Sequence, residues 1–397
     1  MSLSVRESIG DEVGILFSPY GKKWRQLRAI CTLELLSAKR VRSFRPLREE
    51  QVARLVGAIA AAATACCGPS AGQLAAVNVS RQIAGPMSDL AVRAIMGESF
   101  RQREKFLETL AEALKKTTGF SAADLFPSSR LLLALVDSAI DQHREHRDAD
   151  DDAHGDKDQC LLSTLMRIQK EGDDHYGSLT MATVKAVILD MFSGGSETTS
   201  TTLGWAMSEL ARNPRVMQRA QAEVRRALHG RPRVTEDDLT NLKYPKNIIK
   251  ETLRLHPVAP LHVPKECQEP RRVLGHDVPR GTVVFVNAWA IGRDPRYWDD
   301  AEAFMPERFE QIEVDLRGTH FELIPFGAGR RMCPGLAFAH AIVELALAAL
   351  LYHFDWHLPP GVTPDSMDME EGFGLTVSRK RDLYLHPILH VGLETVL

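Results

Sequence analysis

The sequence has 397 residues, of which 44% are hydrophobic and 25% are charged, the composition of a globular protein with a sizeable core. Its 49 basic and 52 acidic residues leave a net charge of −3, which argues against a protein that binds nucleic acid through bulk positive charge. The six cysteines form no C-x-x-C pair and indicate a reduced compartment rather than a disulfide framework.

From the sequence we expect neither a signal peptide nor a membrane span. The first residues, "MSLSVRESIGDEVGILF", carry charges where a signal peptide has an apolar core. No stretch reaches the ~20 apolar residues that a membrane-spanning helix needs. The segment 334–354 comes nearest, but it contains His340, Glu344 and His353, and we predict a buried core helix.

Hydrophobic periodicity predicts helices along most of the chain. In order, they cover residues 21–36, 40–65, 82–96, 104–116, 180 to about 212, 216–228, 245–255 and a last helix after Cys333. A turn-rich break is predicted at 121–130 and a solvated acidic loop at 148–158. Alternating residues over 269–292 predict a hairpin around "DVPRG", and 372–387 predicts short strands. The pattern favours one mainly helical domain with a small β part.

The stretch "PFGAGRRMCPGLAFA" (325–339) places Cys333 at the start of the apolar helix, where free N–H groups and the helix dipole favour a thiolate. Phe326 is placed to lie against a flat partner, and Arg330 and Arg331 to pair with carboxylates. A thiolate beside a flat, carboxylate-bearing group suggests heme with a cysteine axial ligand. The alternative is a buried structural cysteine after a glycine turn.

The spacing Phe-x-x-Gly-x-Arg-x-Cys-x-Gly is met by Phe326, Gly329, Arg331, Cys333 and Gly335. The chain resembles, over essentially its whole length, a cytochrome P-450 of the plant microsomal A-type group, which are heme-thiolate monooxygenases. The resemblance implies a mainly α fold, a helical bundle around heme b (iron protoporphyrin IX) with small β-sheets. It also implies that Cys333 ligates the iron.

The stretch "SGGSETTS" (193–200) lies inside the predicted long helix. Glycine costs up to ~1 kcal/mol there relative to alanine, and hydroxyl groups bend helices by bonding to their carbonyls. It can be read as no more than a poor helix. The resemblance instead implies a kinked groove for dioxygen, with Thr198 as a hydrogen-bonding group, Glu197 as a proton relay and Gly194 against the substrate.

Two further stretches combine into a structural cluster. "KETLRLHP" (250–257) puts Glu251 and Arg254 three residues apart on one helix face, a common arrangement on solvated helices. A buried pair needs another partner to offset its desolvation, and "FMPERF" (304–309) can supply Arg308. The resemblance implies that these three residues brace the fold behind the heme loop.

The resemblance also assigns contacts to the heme propionates and to the substrate. In "YGKKWRQLR" (20–28), Trp24 and Arg28 would reach a propionate, although the same spacing fits an ordinary amphipathic helix. Lys265 stands where relatives commonly carry an arginine that contacts a propionate. A lysine would keep the positive charge but lack the forked, two-point hydrogen bonding of a guanidinium group. Further substrate contacts are implied for the apolar residues Val258, Ala259, Leu261 and Phe373.

Compared with the family pattern, the chain is expected to lack an N-terminal membrane anchor, a hinge and most of a β-sheet lobe. An internal gap is expected near 140–141. The predicted organisation is therefore a single cytochrome P-450 domain over residues 1–397, incomplete at its N-terminus.

The activity implied is the insertion of one oxygen atom from O2 into a small apolar molecule, such as a terpenoid of plant secondary metabolism. Electrons would come from NADPH through a separate flavoprotein reductase, docked on the basic face of Lys22, Lys23 and Arg25. The family location is the cytosolic face of the endoplasmic reticulum membrane, although a chain without an anchor could be cytosolic. Two alternatives are a reductase-independent heme-thiolate isomerase or dehydratase, and a truncated chain that binds heme without catalysis or does not fold.

Overall fold

The structure is a computed structural model that describes residues 14–65, 76–97, 100–116, 126–149, 160–172, 179–374 and 376–390. Helices dominate it. They are α1 (Lys22–Ala29), continued by a π-helical segment (Ile30–Leu35), α2 (Ala38–Ser43), α3 (Arg45–Ala65), α4 (Val79–Met96), α5 (Arg103–Lys116), α6 (Phe126–Ala149), α7 (Leu161–Glu171), α8 (Met181–Gly195), α9 (Glu197–Arg212), α10 (Pro214–Ala227), α11 (Tyr244–Leu255), α12 (Ala288–Ile291), α13 (Arg308–Gln311) and α14 (Leu336–His353).

The strands are short and all their pairings are antiparallel. They are β1 (Val77–Asn78), β2 (Lys265–Glu266), β3 (Arg271–Val273), β4 (His276–Val278), β5 (Val283–Val284), β6 (Phe354–His357), β7 (Glu371–Gly372), β8 (Ser378–Arg379) and β9 (Tyr384–Leu389). Strand β9 lies between β1 and β6, and the other pairs are β2 with β5, β3 with β4 and β7 with β8. The mainly helical class with small sheets is confirmed.

Local sequence explains where several helices begin. The Thr180 hydroxyl accepts the backbone N–H of Thr183 and caps α8, and the Asn78 side chain caps α4 in the same way. Prolines occupy the first turns of α10 and α11, where their missing N–H costs least. These signals fix the ends of the helices that form the core.

The last helix, α14, lies at the centre of the larger hydrophobic core and packs against α3, α9, α10 and α11. By length and composition α14 could cross a membrane, although its sequence predicted no such segment. From Ile342 to His353, all of its residues except Glu344 are buried. The prediction that 334–354 is a core helix is confirmed, with the first helical residue at Leu336.

A buried ion cluster holds the segments that flank the cleft described below. Glu251 and Arg254 are fully buried, and Arg308 donates to Glu251 at 3.0 Å. Arg254 also donates to the carbonyls of Gly292 and Ala301, both at 2.6 Å. The cluster predicted from "KETLRLHP" and "FMPERF" therefore forms, and it ties α11 to residues 292–308.

Several boundaries differ from the sequence prediction. The helix expected at 180–212 is divided at Ser196, with α8 before it and α9 after it. The helix expected at 21–36 changes to π geometry at Ile30, and the one expected at 40–65 is divided after Ser43. At each of these points the hydrophobic residues keep their helical spacing, but the pattern of backbone hydrogen bonds changes.

Two expectations about turns were wrong. Residues 126–130 belong to α6, and the rest of the predicted break at 121–125 lies outside the described residues, as does most of the acidic loop at 148–158. The hairpin of β3 and β4 turns at Leu274-Gly275, not at "DVPRG", because both residues adopt positive φ, as a tight two-residue hairpin turn requires.

The predicted gap site, Ile140-Asp141, lies inside α6.

Candidate active site

An open cleft lies between the α8–α9 junction, the segment after α11 and the loop that precedes α14. It encloses about 1410 Å³ of empty space, part of which is open to solvent. Its walls are mostly apolar and include Ile249, Leu253 and Val343, while Cys333 and Thr198 supply chemically active groups. A cleft of this kind can enclose a large flat cofactor together with an apolar substrate.

Cys333 is held by a glycine turn on one side and by the start of α14 on the other. Its backbone N–H donates to the Phe326 carbonyl at 2.9 Å, which closes a turn in which Gly327 and Gly329 adopt positive φ. Burial raises the pKa of the Cys333 thiol, whereas the backbone N–H of Gly335 and the charge of Arg28 oppose that rise. The expected N–H support is present, and the Cys333 side chain is exposed to the cleft, where a metal ion could bind the thiolate.

Three cationic side chains line the same cleft: Arg28, Lys265 and Arg331. Burial lowers the pKa of each, and for Lys265 the neighbouring charge of Arg331 lowers it further. Within the described residues, none of the three forms an ion pair with a carboxylate; Arg331 donates to the Ser18 carbonyl at 2.7 Å. Half-buried cations that lack a carboxylate partner among the described residues indicate a site for an anionic ligand.

These residues fit heme. A thiol at the floor of an apolar cleft can ligate iron, and three cations at its edge can neutralise two propionates. Cys333, Arg28, Lys265 and Arg331 would hold the group. Phe326 also lines the cleft, whereas Gly329 and Gly335 contribute through the turn and the helix cap.

Trp24 has a backbone partner within the cleft. It is buried and lines the cleft, and its indole N–H donates to the Ile15 carbonyl at 3.1 Å, while the contact with a propionate stays a prediction. A buried indole N–H requires an acceptor, and the Ile15 carbonyl supplies one. The Arg331 guanidinium lies over the Trp24 ring, 4.7 Å from its centre.

The junction of α8 and α9 carries the hydroxyl groups predicted to bend the helix. The Thr198 hydroxyl donates to the Gly194 carbonyl at 2.6 Å, and the Ser196 hydroxyl donates to the Phe192 carbonyl at 3.0 Å. The break at Ser196 follows from this competition for carbonyls. Thr198 and Gly194 line the cleft, and Glu197 begins α9 without lining it.

The residues predicted to contact substrate divide into two groups. Val258, Ala259 and Gly194 line the cleft. Leu261 and Phe373 do not, and they are 46% and 89% exposed. His262 has a φ of +53°, so the tight turn directs Leu261 outward and brings the imidazole of His262 to the cleft; Phe373 lies at the tip between β7 and β8.

Sequence reasoning missed three features of the site. His262 lines the cleft, and its Nε2 donates to the Ile324 carbonyl at 2.9 Å. Ile15 and Leu16 form another part of the wall, and Asp190 of α8 accepts the Leu16 N–H at 3.1 Å. A single aspartate within the apolar run "VILDMF" (187–192) was the available signal for this contact.

The described cysteines Cys31, Cys160, Cys267 and Cys333 are all free thiols. Cys66 and Cys67 lie outside the described residues.

Comparison with known proteins identifies the family. The model of the family Cytochrome P-450 matches residues 3–385. A desmethyl-deoxy-podophyllotoxin synthase from Sinopodophyllum hexandrum is 45% identical over 398 residues, which cover 96% of this chain and 76% of the relative. An ent-cassadiene hydroxylase from Oryza sativa subsp. japonica is 45% identical, over 95% of this chain and 76% of its own length. A germacrene A hydroxylase from Barnadesia spinosa is 44% identical, over 94% and 75%.

Among solved structures, a zebra fish cytochrome P-450 with progesterone superposes with a TM-score of 0.80 at 22% identity, covering 98% of this chain and 87% of that one. At that identity the similarity establishes the fold alone.

Proposed function

The chain belongs to the cytochrome P-450 family of heme-thiolate monooxygenases, and from that premise we propose that it hydroxylates an apolar terpenoid of plant secondary metabolism. The mostly apolar walls of the cleft support a hydrocarbon-like substrate. The names of two relatives at 44–45% identity, ent-cassadiene hydroxylase and germacrene A hydroxylase, support the same class.

The observation that carries the proposal is the arrangement of Cys333 among three half-buried cations without carboxylate partners in the described chain. When bound, heme supplies the redox chemistry that activates O2 and transfers one oxygen atom to the substrate, while the other leaves as water. The protein supplies the thiolate, the neutralising charges and a shaped apolar space.

Residues of α8 and α9 would deliver protons to the reaction. The Thr198 hydroxyl donates a hydrogen bond to the Gly194 carbonyl in the structure, and a rotation about χ1 would turn the hydroxyl toward a ligand in the cleft. We propose Glu197, next in sequence, as the group that passes protons to Thr198 from outside the cleft.

The test is the absorption spectrum of the reduced, carbon monoxide-bound protein. The wild type and a Cys267→Ser control, in which a free cysteine away from the cleft is changed, should show the Soret band typical of thiolate ligation. Cys333→Ser should lose that band. An imidazole-type band or no bound heme in the wild type would favour the non-catalytic alternative.

Turnover distinguishes the remaining alternative. A monooxygenase consumes NADPH and O2 with a reductase present, whereas an isomerase or dehydratase converts hydroperoxides without either. The expected result is reductase-dependent hydroxylation of a terpenoid hydrocarbon. Conversion of fatty acid hydroperoxides at the same rate with and without reductase would contradict it.

We further propose that the exposed basic face of α1 docks the reductase, with Lys22, Lys23 and Arg25 on the docking side. Reversing both lysines to glutamate should slow electron transfer from the reductase by about 10-fold at low salt, and less at high salt. Reduction by dithionite should not change. A matched reversal of the exposed pair Arg271 and Arg272 on β3 should have no effect; an equal effect would contradict the assignment.

For location, we propose the cytosolic face of the endoplasmic reticulum membrane, because reductase-coupled members of the family work there. Fractionation of plant cells that express the tagged chain tests this: recovery in the soluble fraction alone would contradict it.

A further inference from the structure

One carboxyl group of α8 holds the backbone of a separate wall of the cleft. Asp190 Oδ2 accepts the backbone N–H of Leu16 at 3.1 Å, and the backbone N–H of Ile15 also donates to this carboxyl. Ile15 and Leu16 both line the cleft. A single side chain therefore fixes two consecutive wall residues, of which Leu16 lies 174 positions away in sequence.

The packing at this contact leaves no room for adjustment. A Cβ atom on Gly14 would lie 2.7 Å from Asp190 Cγ and 2.9 Å from the Ala186 carbonyl oxygen. Only a residue without a side chain allows the chain to approach α8 so closely. The close approach brings the next two N–H groups to the carboxyl and sets the position of the wall relative to α8.

The same wall leads to the cationic edge of the cleft. The Ile15 carbonyl accepts the Trp24 indole N–H at 3.1 Å, and Arg331 stacks over that ring and donates to the Ser18 carbonyl. The contacts run without a gap from Asp190 to Arg331. Displacement of Ile15 would therefore change the wall that faces the substrate. It would also disturb the contacts that hold Arg331, the residue proposed to pair with a heme propionate.

Asp190 itself does not line the cleft, so it has no direct contact with a substrate placed there. We propose that Asp190 is a positioning residue that sets the location of the Ile15–Leu16 wall and thereby selects substrates by size and orientation. The proposal rests on the proposed monooxygenase function. In this proposal Asp190 influences substrate selectivity indirectly, by holding the backbone of Ile15 and Leu16.

The experiment uses heme-loaded protein and two neutral probes of the cleft, imidazole and the bulkier 1-phenylimidazole, which bind iron and report by a Soret shift. Asp190→Ala should change the affinity for 1-phenylimidazole by about 10-fold or more while imidazole binding stays within about twofold. Asp190→Asn should fall between Ala and wild type, because its amide oxygen still accepts one N–H.

The control is Asp137→Asn, which removes a carboxylate that pairs with Lys185 on the same helix α8 but does not line the cleft. It should leave both affinities unchanged. Backbone amide exchange gives an independent readout: protection of Ile15 and Leu16 should be lost in Asp190→Ala and kept in Asp137→Asn.

Retained protection of Ile15 and Leu16 in Asp190→Ala, or an unchanged ratio of the two affinities, would overturn the proposal. Failure of the monooxygenase assignment looks different, because the wild type would then lack the thiolate-type spectrum. Amide exchange measured without heme would still report on the contact with Asp190.

Discussion

Glu251 and Arg254 form a fully buried ion pair, with Nε to Oε2 and Nη2 to Oε1 both at 2.8 Å. The pair is bidentate. Backbone carbonyls accept the remaining N–H groups of Arg254, and Arg308 donates to the carboxylate of Glu251. Such a pair adds little net stability over an apolar substitute, but a partner left alone in the core is very costly.

We therefore predict that Glu251→Gln destabilises the fold by about 3–5 kcal/mol, because Arg254 would keep its charge without a counter-ion. Urea denaturation followed by far-ultraviolet circular dichroism measures this difference. The control is Lys380→Ala, which breaks an exposed pair with Glu370 and should cost no more than about 1 kcal/mol. Equal effects of the two substitutions would contradict a bracing role.

The second prediction concerns Lys265, a compact charge at the edge of the cleft. Lys265→Met should speed the loss of heme to excess apomyoglobin by about 10-fold, since a hydrogen bond to a charged group is worth about 1.5–3 kcal/mol. Lys265→Arg should retain heme at least as long as wild type, because its fork can bind a carboxylate at two points. Retention by Lys265→Met equal to that of wild type would show that Lys265 does not contact the cofactor.

The third prediction concerns the hydroxyl group of Thr198. Thr198→Ala should lower the rate of hydroxylation by roughly 10²-fold, in the range of other positioned proton-transfer groups. Thr198→Ser keeps the hydroxyl and should recover most of the rate. The carbon monoxide spectrum should be identical in all three proteins, and a full rate in Thr198→Ala would remove this residue from the proton route.

Short-range patterns were the part of the site that the sequence could predict. The spacing of Glu251 and Arg254, and the turn of glycines before Cys333, depend on residues within one helix or loop. Their side chains are placed by local geometry, so the motif and the structure agree. The helix break at Ser196 was visible in the same way as a cluster of hydroxyl groups, although its position was not.

Contacts between distant segments could not be predicted. Nothing local to "VILDMF" indicates that Asp190 accepts the N–H groups of Ile15 and Leu16. The orientations of Leu261 and His262 depend on the positive φ of His262, a conformation that its residue type does not dictate. Long-range packing decided both cases.

The last prediction uses the titration of Asp190. Burial raises the pKa of its carboxyl from 3.8 to about 7, against the opposing hydrogen bonds from Leu16 and Ile15. Between these two pH values the folded protein holds a proton that the unfolded chain has released, so the free energy of unfolding falls as pH rises. Above about pH 7 both states are ionised and this contribution stays constant.

Stability measured by urea denaturation should therefore decline from pH 5 to pH 7 more steeply in wild type than in Asp190→Asn, which has no proton to lose. The neighbouring Cys31 does not interfere, because burial first, and the charge of Asp190 second, raise the pKa of its thiol to about 12. Parallel stability curves for the two proteins across this range would show that the Asp190 carboxyl is already ionised at pH 5, and that its hydrogen bonds to Ile15 and Leu16 outweigh its burial.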